Sequence, residues 1–131
     1  MTTEAGDNGW MLEKITNVRG VRHSVVLTSD GFVTVRCHRT ETEVAERLAA
    51  ACAGLASLGK GIGGEFGDGT IPRQVMIEFG GGFLFVRGAG DGSYLAVVTE
   101  AVIDPALVAQ QMQAQVLAIG EHTLSAKIRR Q

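Results

Sequence analysis

The feature that most constrains this chain is an uncharged stretch from Leu48 to Gly59 that is rich in alanine and leucine. Apolar residues recur around it at steps of four and three, the spacing of one stripe along a helix. The stripe comprises Val44, Leu48, Ala51, Leu55, Leu58 and Ile62. We expect it to pack on a sheet. The opposite face is also uncharged and comprises Ala49, Ala50, Ala53, Ala56 and Ser57. A helix that is apolar on both sides is buried on both sides, and a sheet covers only one of them.

This second apolar face predicts a homodimer. Small side chains let two helices approach closely, and most soluble homo-oligomers are two-fold dimers. An antiparallel crossing near Ala53 would place Glu46 opposite Lys60 of the second copy, where the pair would set the register more than the stability. The alternative is that an alanine-rich helix forms readily and faces water. We favour the dimer because exposed helix faces ordinarily carry charged residues.

The residues before the long helix predict a short helix and a hairpin. We expect the helix over residues 8–18, capped by Asn8. Two strands should follow over residues 23–28 and 32–38, joined at the turn sequence Asp30–Gly31. The long helix should then begin near Thr40, because Thr40 and Glu43 have the spacing of a capping box.

The residues after the long helix predict a strand meander and a last helix. The long helix should end at residues 59–61, and the loop 63–70 should follow it. Glycine turns then separate three strands, expected over residues 73–79, 83–88 and 93–99. Asp104–Pro105 should start the last helix, since proline is tolerated in a first turn. One apolar face of that helix comprises Val108, Met112, Val116, Ile119 and Thr123.

These elements predict an α+β fold with a five-stranded antiparallel sheet. The first and fifth strands are apolar on both faces, so we expect them inside the sheet, with the second and third strands at its edges. The predicted order is 2-1-5-4-3. The long helix should cover one face and the two terminal helices the other. The domain is expected to span residues 8–126, with tails at 1–7 and 127–131.

Composition narrows the function of the chain. Its 12 basic and 14 acidic residues give a formal charge of -2, which argues against a nucleic-acid partner. The polar, acidic start and the shortness of the apolar runs argue against a signal sequence or a membrane partner, and favour the cytoplasm. Cys37 and Cys52 do not form a CxxC pair, so we expect two reduced thiols.

Two glycine-rich motifs resemble nucleotide-binding loops, but their context is wrong. Residues 54–60 read G-x-x-x-x-G-K and residues 59–64 read G-x-G-x-x-G, yet both follow helical sequence instead of a strand. His23, His38 and His122 do not make up a metal set, which needs three or four converging ligands. We therefore predict no cofactor, no metal and no enzymatic activity.

Four stretches together carry a family resemblance: residues 18–31, 48–59, 81–86 and 90–97. In their order and content the chain resembles the roadblock/dynein light chain family, in particular the small bacterial roadblock proteins encoded beside Ras-like GTPases. The resemblance extends over about residues 10–125. It departs at Phe32 and Thr34, where smaller or aliphatic residues are expected.

The resemblance implies a roadblock/profilin-like sandwich that dimerises through its middle helix and third strand. The interface expected on this chain comprises Glu46, Ala49, Ala50, Ala53, Ala56, Ser57, Lys60, Val75 and Ile77. It further implies a regulator or scaffold of a small Ras-like GTPase in signalling, in one bacterial relative a GTPase-activating protein, and a sensor kinase-like protein as a further partner.

Two open questions follow from this resemblance. An activator can supply an arginine to the phosphate being transferred, so Arg36, Arg39 and Arg73 are candidate partner contacts, although we prefer to interpret each as a solvated strand or loop end. Arg87 is a fourth possible donor, and the loop 63–70 is a further candidate contact. The alternative function is a small-molecule-sensing domain, against which the close-packing alanines and glycines argue.

Overall fold

The computed structural model describes residues 9–69, 72–89 and 91–130, with side chains described as far as Gly120. A 3₁₀ turn, Gly9–Leu12, leads into the short helix α1, Glu13–Thr16. The remaining elements are β1 (Val21–Thr28), β2 (Val33–Arg36), α2 (Thr42–Phe66), β3 (Val75–Phe79), β4 (Gly82–Gly88), β5 (Ser93–Glu100) and α3 (Pro105–Arg130).

The strands form one antiparallel sheet in the order β2-β1-β5-β4-β3, as the sequence predicts. The central strand β5 pairs with β1 on one side, where Val25 opposes Ala96, and with β4 on the other, where Phe85 opposes Val97. The strands β2 and β3 occupy the edges. Gly31 makes the first hairpin turn with a φ of 89°, a conformation that only glycine adopts easily.

The sheet separates two hydrophobic cores. On one face, α1 and α3 cover residues such as Val26, Phe85 and Val97. On the other, α2 covers Leu27, Leu84, Val86, Tyr94 and Ala96. The prediction that the long helix covers one face and the terminal helices the other is therefore confirmed. The expected α3 face is buried at Val108, Met112, Val116 and Ile119, while Thr123 lies outside the described side chains.

The ends of several elements differ from the prediction. The first helix is a 3₁₀ turn followed by one α-helical turn, and its expected cap Asn8 lies outside the described residues. The strand β2 is shorter than predicted. Helix α2 continues past its glycines to Phe66, so the loop predicted over 63–70 is helical at its start. Helix α3 extends to Arg130, beyond the expected domain end at 126.

The capping box predicted at Thr40 is wrong. Helix α2 begins at Thr42 with Glu41 as its N-cap residue, and no side chain caps it. The fully buried Thr40 hydroxyl instead lies 3.0 Å from Nδ1 of His23 and 3.1 Å from Sγ of Cys37. Thr40 therefore ties the β2–α2 connection to β1. At the last helix, by contrast, the Asp104 carboxylate accepts hydrogen bonds from the first-turn amides, which confirms the predicted start.

The side of α2 that packs on the sheet lies between the two predicted faces. Ala45, Ala49, Cys52 and Ala56 are between 0% and 3% exposed against the sheet. The stripe of larger residues was expected to pack on the sheet. It is rotated away from the sheet instead, so that Leu58 and Ile62 are exposed. The physical reason is the close approach of the helix axis. Small side chains on the helix leave room for the large ones that rise from β1, β4 and β5.

This packing predicts that a larger residue at 49 destabilises the protein. Ala49→Leu adds volume between helix and sheet, so we expect the free energy of unfolding to fall by about 1–3 kcal/mol. The exposed Ser57→Leu variant is the matched control and should stay within about 0.5 kcal/mol of the parent. Chemical denaturation at one protein concentration measures both. An equal effect of the two variants would contradict this placement of the helix.

The buried contact of His23 predicts a pH-dependent stability. Burial, and then repulsion from Arg22, lower the pKa of His23 below its usual 6.5. The unfolded chain therefore binds the proton more readily, so this contribution to stability is complete above pH 6.5 and is lost as the pH falls below it. We expect His23→Gln to flatten the fall in Tm between pH 7 and pH 5. The exposed His38→Gln should retain the parent's slope, and an unchanged slope in both variants would contradict the assignment.

Candidate interaction surface

A row of apolar side chains along α2 is left uncovered by the chain's own sheet. Leu58, Ile62 and Phe66 are 69%, 61% and 79% exposed. Leu48 and Leu55 only partly pack on the core beneath α2. We call this row the α2 seam. It comprises the predicted stripe together with Phe66: Val44, Leu48, Ala51, Leu55, Leu58, Ile62 and Phe66.

The α2 seam faces the edge of the sheet formed by β3. Gly59 follows Leu58 directly, and a Cβ placed on it would lie 2.7 Å from Pro72 and 3.6 Å from Val75 at the start of β3. On the other flank of α2, the turn at Gly31 lies against Ala50 and Ala53. The first hairpin thus approaches one flank of the helix at Ala50 and Ala53 without burying it, and the apolar flank points past β3.

The edge strand β3 continues this apolar surface. Ile77 and Phe79 lie on the α2 side of the sheet and are 36% and 42% exposed, while Met76 on the other side is 54% exposed. Within the described ranges β3 pairs with β4 alone, so its outer row of backbone amides and carbonyls has no partner strand. An exposed, apolar edge of this kind is a template for pairing with another strand.

Together, the α2 seam and the outer face of β3 form one contiguous apolar patch. Patches of this sort on a folded domain mark an interaction surface. Sequence reasoning missed Phe66 because it ended the helix at the glycines, and it missed Phe79 because it assigned only Val75 and Ile77 of the third strand to the interface. The available signal was a second stripe, Ala45, Ala49, Cys52 and Ala56, which lies one residue beyond the predicted stripe and has the same spacing. Only this second stripe consists entirely of small residues.

The predicted interface residues are distributed over three places. Val75 and Ile77 lie on β3, at the patch. Ala49 and Ala56 are inside the core, so the expectation that they form an outer face is wrong. The rest lie on the α2 flank that faces the first hairpin: Glu46, Ala50, Ala53, Ser57 and Lys60. The predicted Glu46–Lys60 contact with a second copy would therefore lie on the flank away from β3.

The three candidate arginines do not converge within one chain. Arg36 donates from Nη1 to the Thr40 carbonyl at 2.8 Å, and Arg39 donates to the Val21 carbonyl at 3.1 Å. Both lie near the β2 edge, while Arg73 precedes β3 at the opposite edge. Arg87 is bonded to the side chains of Gln74 and Gln113. Arg36 and Arg39 thus have structural partners in their own backbone.

The cysteines and histidines are placed apart. Cys37 lies in the core under α3 and Cys52 in the core under α2, so the sheet separates the two free thiols. Burial raises the pKa of Cys52 to about 12. Burial also raises the pKa of Cys37, but hydrogen bonds with Thr40 and Ser24 outweigh this and lower it overall. Across the residues described, no three His, Cys, Asp or Glu side chains group as metal ligands; His122 lies outside the described side chains.

The remaining candidate sites are the two glycine-rich motifs and one open cleft. Both glycine-rich motifs, residues 54–60 and 59–64, lie wholly inside α2, where helical backbone amides are not presented to a phosphate. An open cleft of about 500 Å³ lies between the ends of β1 and β5 and is lined by Met11, Val26 and Ile119 among others. The Asp91 carboxylate in it accepts a hydrogen bond from the Ser93 amide, as part of the turn. In the described part of the chain, no helix has the length and apolar character needed to cross a bilayer.

Comparison with known proteins agrees with this architecture. The Roadblock/LC7 domain family model matches residues 8–99. A Roadblock/LC7 domain from Streptomyces avermitilis is 32% identical, with a TM-score of 0.83 over 88% of this chain and 97% of that one. Two more distant structures share the fold. Myxococcus xanthus MglB is 14% identical, with a TM-score of 0.81 over 91% of this chain and 96% of that one. Acanthamoeba castellanii profilin II is 17% identical, with a TM-score of 0.59 over 87% and 98%.

No functionally curated protein matches the sequence significantly. The family model nevertheless spans most of the chain, and the Streptomyces domain matches nearly end to end. The strand order, the single long helix on one face and the helices on the other are those predicted for a roadblock sandwich. The chain belongs to the Roadblock/LC7 domain family.

Proposed function

We propose that this protein is a homodimeric binding module, without catalytic groups of its own, that regulates or scaffolds a small Ras-like GTPase in the cytoplasm. The observation that carries the proposal is the apolar patch formed by the α2 seam and β3. A monomer would leave Leu58, Ile62 and Phe66 in water. A second copy covers them with an identical surface, as a two-fold interface requires.

The proposed dimer joins the two sheets through their β3 edges and crosses the two α2 helices antiparallel above them. The seam has the step of four and three that suits side-by-side helix packing. With the two-fold axis near Leu55, Ile62 meets the partner's Leu48, and Leu58 lies beside the partner's Ala51. Large residues then face smaller ones, so the two helices can interdigitate.

This arrangement predicts that one charge on the seam abolishes the dimer. Leu58→Glu would bury two like charges close to the axis, and we expect monomers by light scattering at micromolar concentration. The adjacent Ser57→Glu adds the same charge on the other flank of α2 and should remain dimeric. A dimeric Leu58→Glu variant, or a parent protein that is monomeric, would contradict the proposed interface.

The GTPase partner is proposed from the family resemblance, and the arginines bear on how the module would act. Arg36 and Arg39 hydrogen-bond to their own backbone, and Arg73 lies at the other sheet edge. No described arrangement presents a cluster of them to one phosphate. We therefore propose that the dimer acts by binding and positioning the GTPase's own loops, not by inserting an arginine. A sensor kinase-like protein remains a further proposed partner.

We expect the Ras-like GTPase encoded nearby to co-purify with the parent protein and to hydrolyse GTP faster in its presence. Single Arg36→Ala, Arg39→Ala and Arg73→Ala variants should each retain that acceleration within about threefold, since loss of an inserted arginine costs on the order of a thousandfold. Single-turnover GTP hydrolysis measures this. Binding with unchanged hydrolysis would leave a scaffold and exclude an activator, and loss of acceleration in one variant would identify an inserted arginine.

A further inference from the structure

Among the described residues, little packs against the last turns of α2. Gly59 makes the final contact with Pro72 and β3. The seven residues that follow, 60–66, extend about 10 Å further as helix. All of them are exposed except Gly63, which is partly buried. A Cβ placed on Gly61 or Gly64 would have no atom within 4 Å. We call residues 60–66 the α2 extension.

The composition of the α2 extension is unfavourable for an isolated helix. Gly61, Gly63 and Gly64 are three of its seven residues, and glycine is a poor helix former because of the backbone freedom it loses. Its apolar side chains, Ile62 and Phe66, are both more than half exposed. Helices of marginal propensity are stabilised mainly by packing of an apolar face. The described residues of the chain do not supply the packing that would hold this segment helical, and we look for it in a second copy.

Charge complementarity indicates what covers it. Arg47 and Glu65 are both exposed and are eighteen positions apart, which is about five full turns, so they lie on the same flank of α2. When two copies of such a helix cross antiparallel near Leu55, Glu65 of one copy lies within about one turn of the partner's Arg47. The symmetry forms this pair twice. Glu43 has the same charge as Glu65 and would repel it, but Glu43 lies about 40° further around α2 from the seam than Arg47 does.

We infer that the α2 extension docks on the first half of the second copy's α2 and is helical only in the assembled dimer. Ile62 and Phe66 pack on the partner's Leu48 and Val44, and Glu65 pairs with the partner's Arg47. The surface thereby recognises a copy with the same charge arrangement, which gives the seam its choice of partner. This inference rests on the proposed dimer. It adds the register in which the two α2 helices pair and the segment that becomes helical on assembly.

The charge pair is tested by exchanging its two signs separately. In an Arg47→Glu homodimer both pairs become repulsive, and likewise in a Glu65→Arg homodimer, so each should dissociate on the order of tenfold more readily in sedimentation analysis. The double variant Arg47→Glu/Glu65→Arg should recover the parent's affinity within about threefold. In an equimolar mixture of the two single variants both cross-pairs are again opposite in sign, so native mass spectrometry should show mainly heterodimers.

The control and the folding test separate this inference from the proposed dimer. Glu46→Arg lies on the flank of α2 that faces the first hairpin and should leave the dimer unchanged. Hydrogen exchange should show the amides of residues 60–66 protected in the parent dimer and unprotected in the monomeric Leu58→Glu variant. A statistical mixture of homo- and heterodimers, or equal protection in monomer and dimer, would overturn the inference while the dimer stands. A monomeric parent would overturn both.

Discussion

The close approach of α2 to the sheet is the constraint on which the rest of the structure depends. Four small side chains, Ala45, Ala49, Cys52 and Ala56, bring the helix down onto the large residues of β1, β4 and β5. Once that face is fixed, the rotation of the helix is fixed as well. The α2 seam must then point past β3. The opposite flank, which carries Glu46, Ala53 and Lys60, must lie beside the first hairpin. The apolar patch is therefore a consequence of how the core is packed.

The layers and strand order were predictable because they depend on local signals. Glycine turns, the apolar strands β1 and β5 and the Asp104–Pro105 start each act over a few residues. The structure places β1, β5 and the Asp104–Pro105 start as expected, while Gly90 of the last turn lies outside the described residues. The orientation of α2 was not predictable in the same way. Helix α2 has two stripes of equal period, one of large residues and one of small residues. The greater hydrophobicity of the large residues favours the wrong stripe as the one that packs on the sheet, unless the distance between helix and sheet is known.

The other errors also come from contacts between residues distant in sequence. Thr40 has the spacing of a cap, but its hydroxyl is taken by His23 of β1, seventeen residues away. The glycines after residue 59 have the composition of a helix stop, yet the helix continues through them to Phe66. For the proposed interface, two of the predicted residues, Val75 and Ile77, lie on the edge strand β3, whereas Ala49 and Ala56 lie in the core. Only tertiary geometry distinguishes a small residue that packs between a helix and the sheet from one that faces outward.

The edge strand β2 has a consequence for how far such an assembly can grow. In the proposed dimer the two β3 strands meet at the centre, so each end of the joined sheet is a β2 strand. That strand has only four residues, its pairing with β1 is interrupted by a register shift beside Leu27, and the backbone of Gly9 lies against the carbonyl oxygen of Arg36. Short, irregular and obstructed edges do not accept further strands. In the proposed dimer the chain thus has one edge suited to joining and one that ends the sheet, an arrangement that would limit β-pairing to two copies and disfavour fibrils.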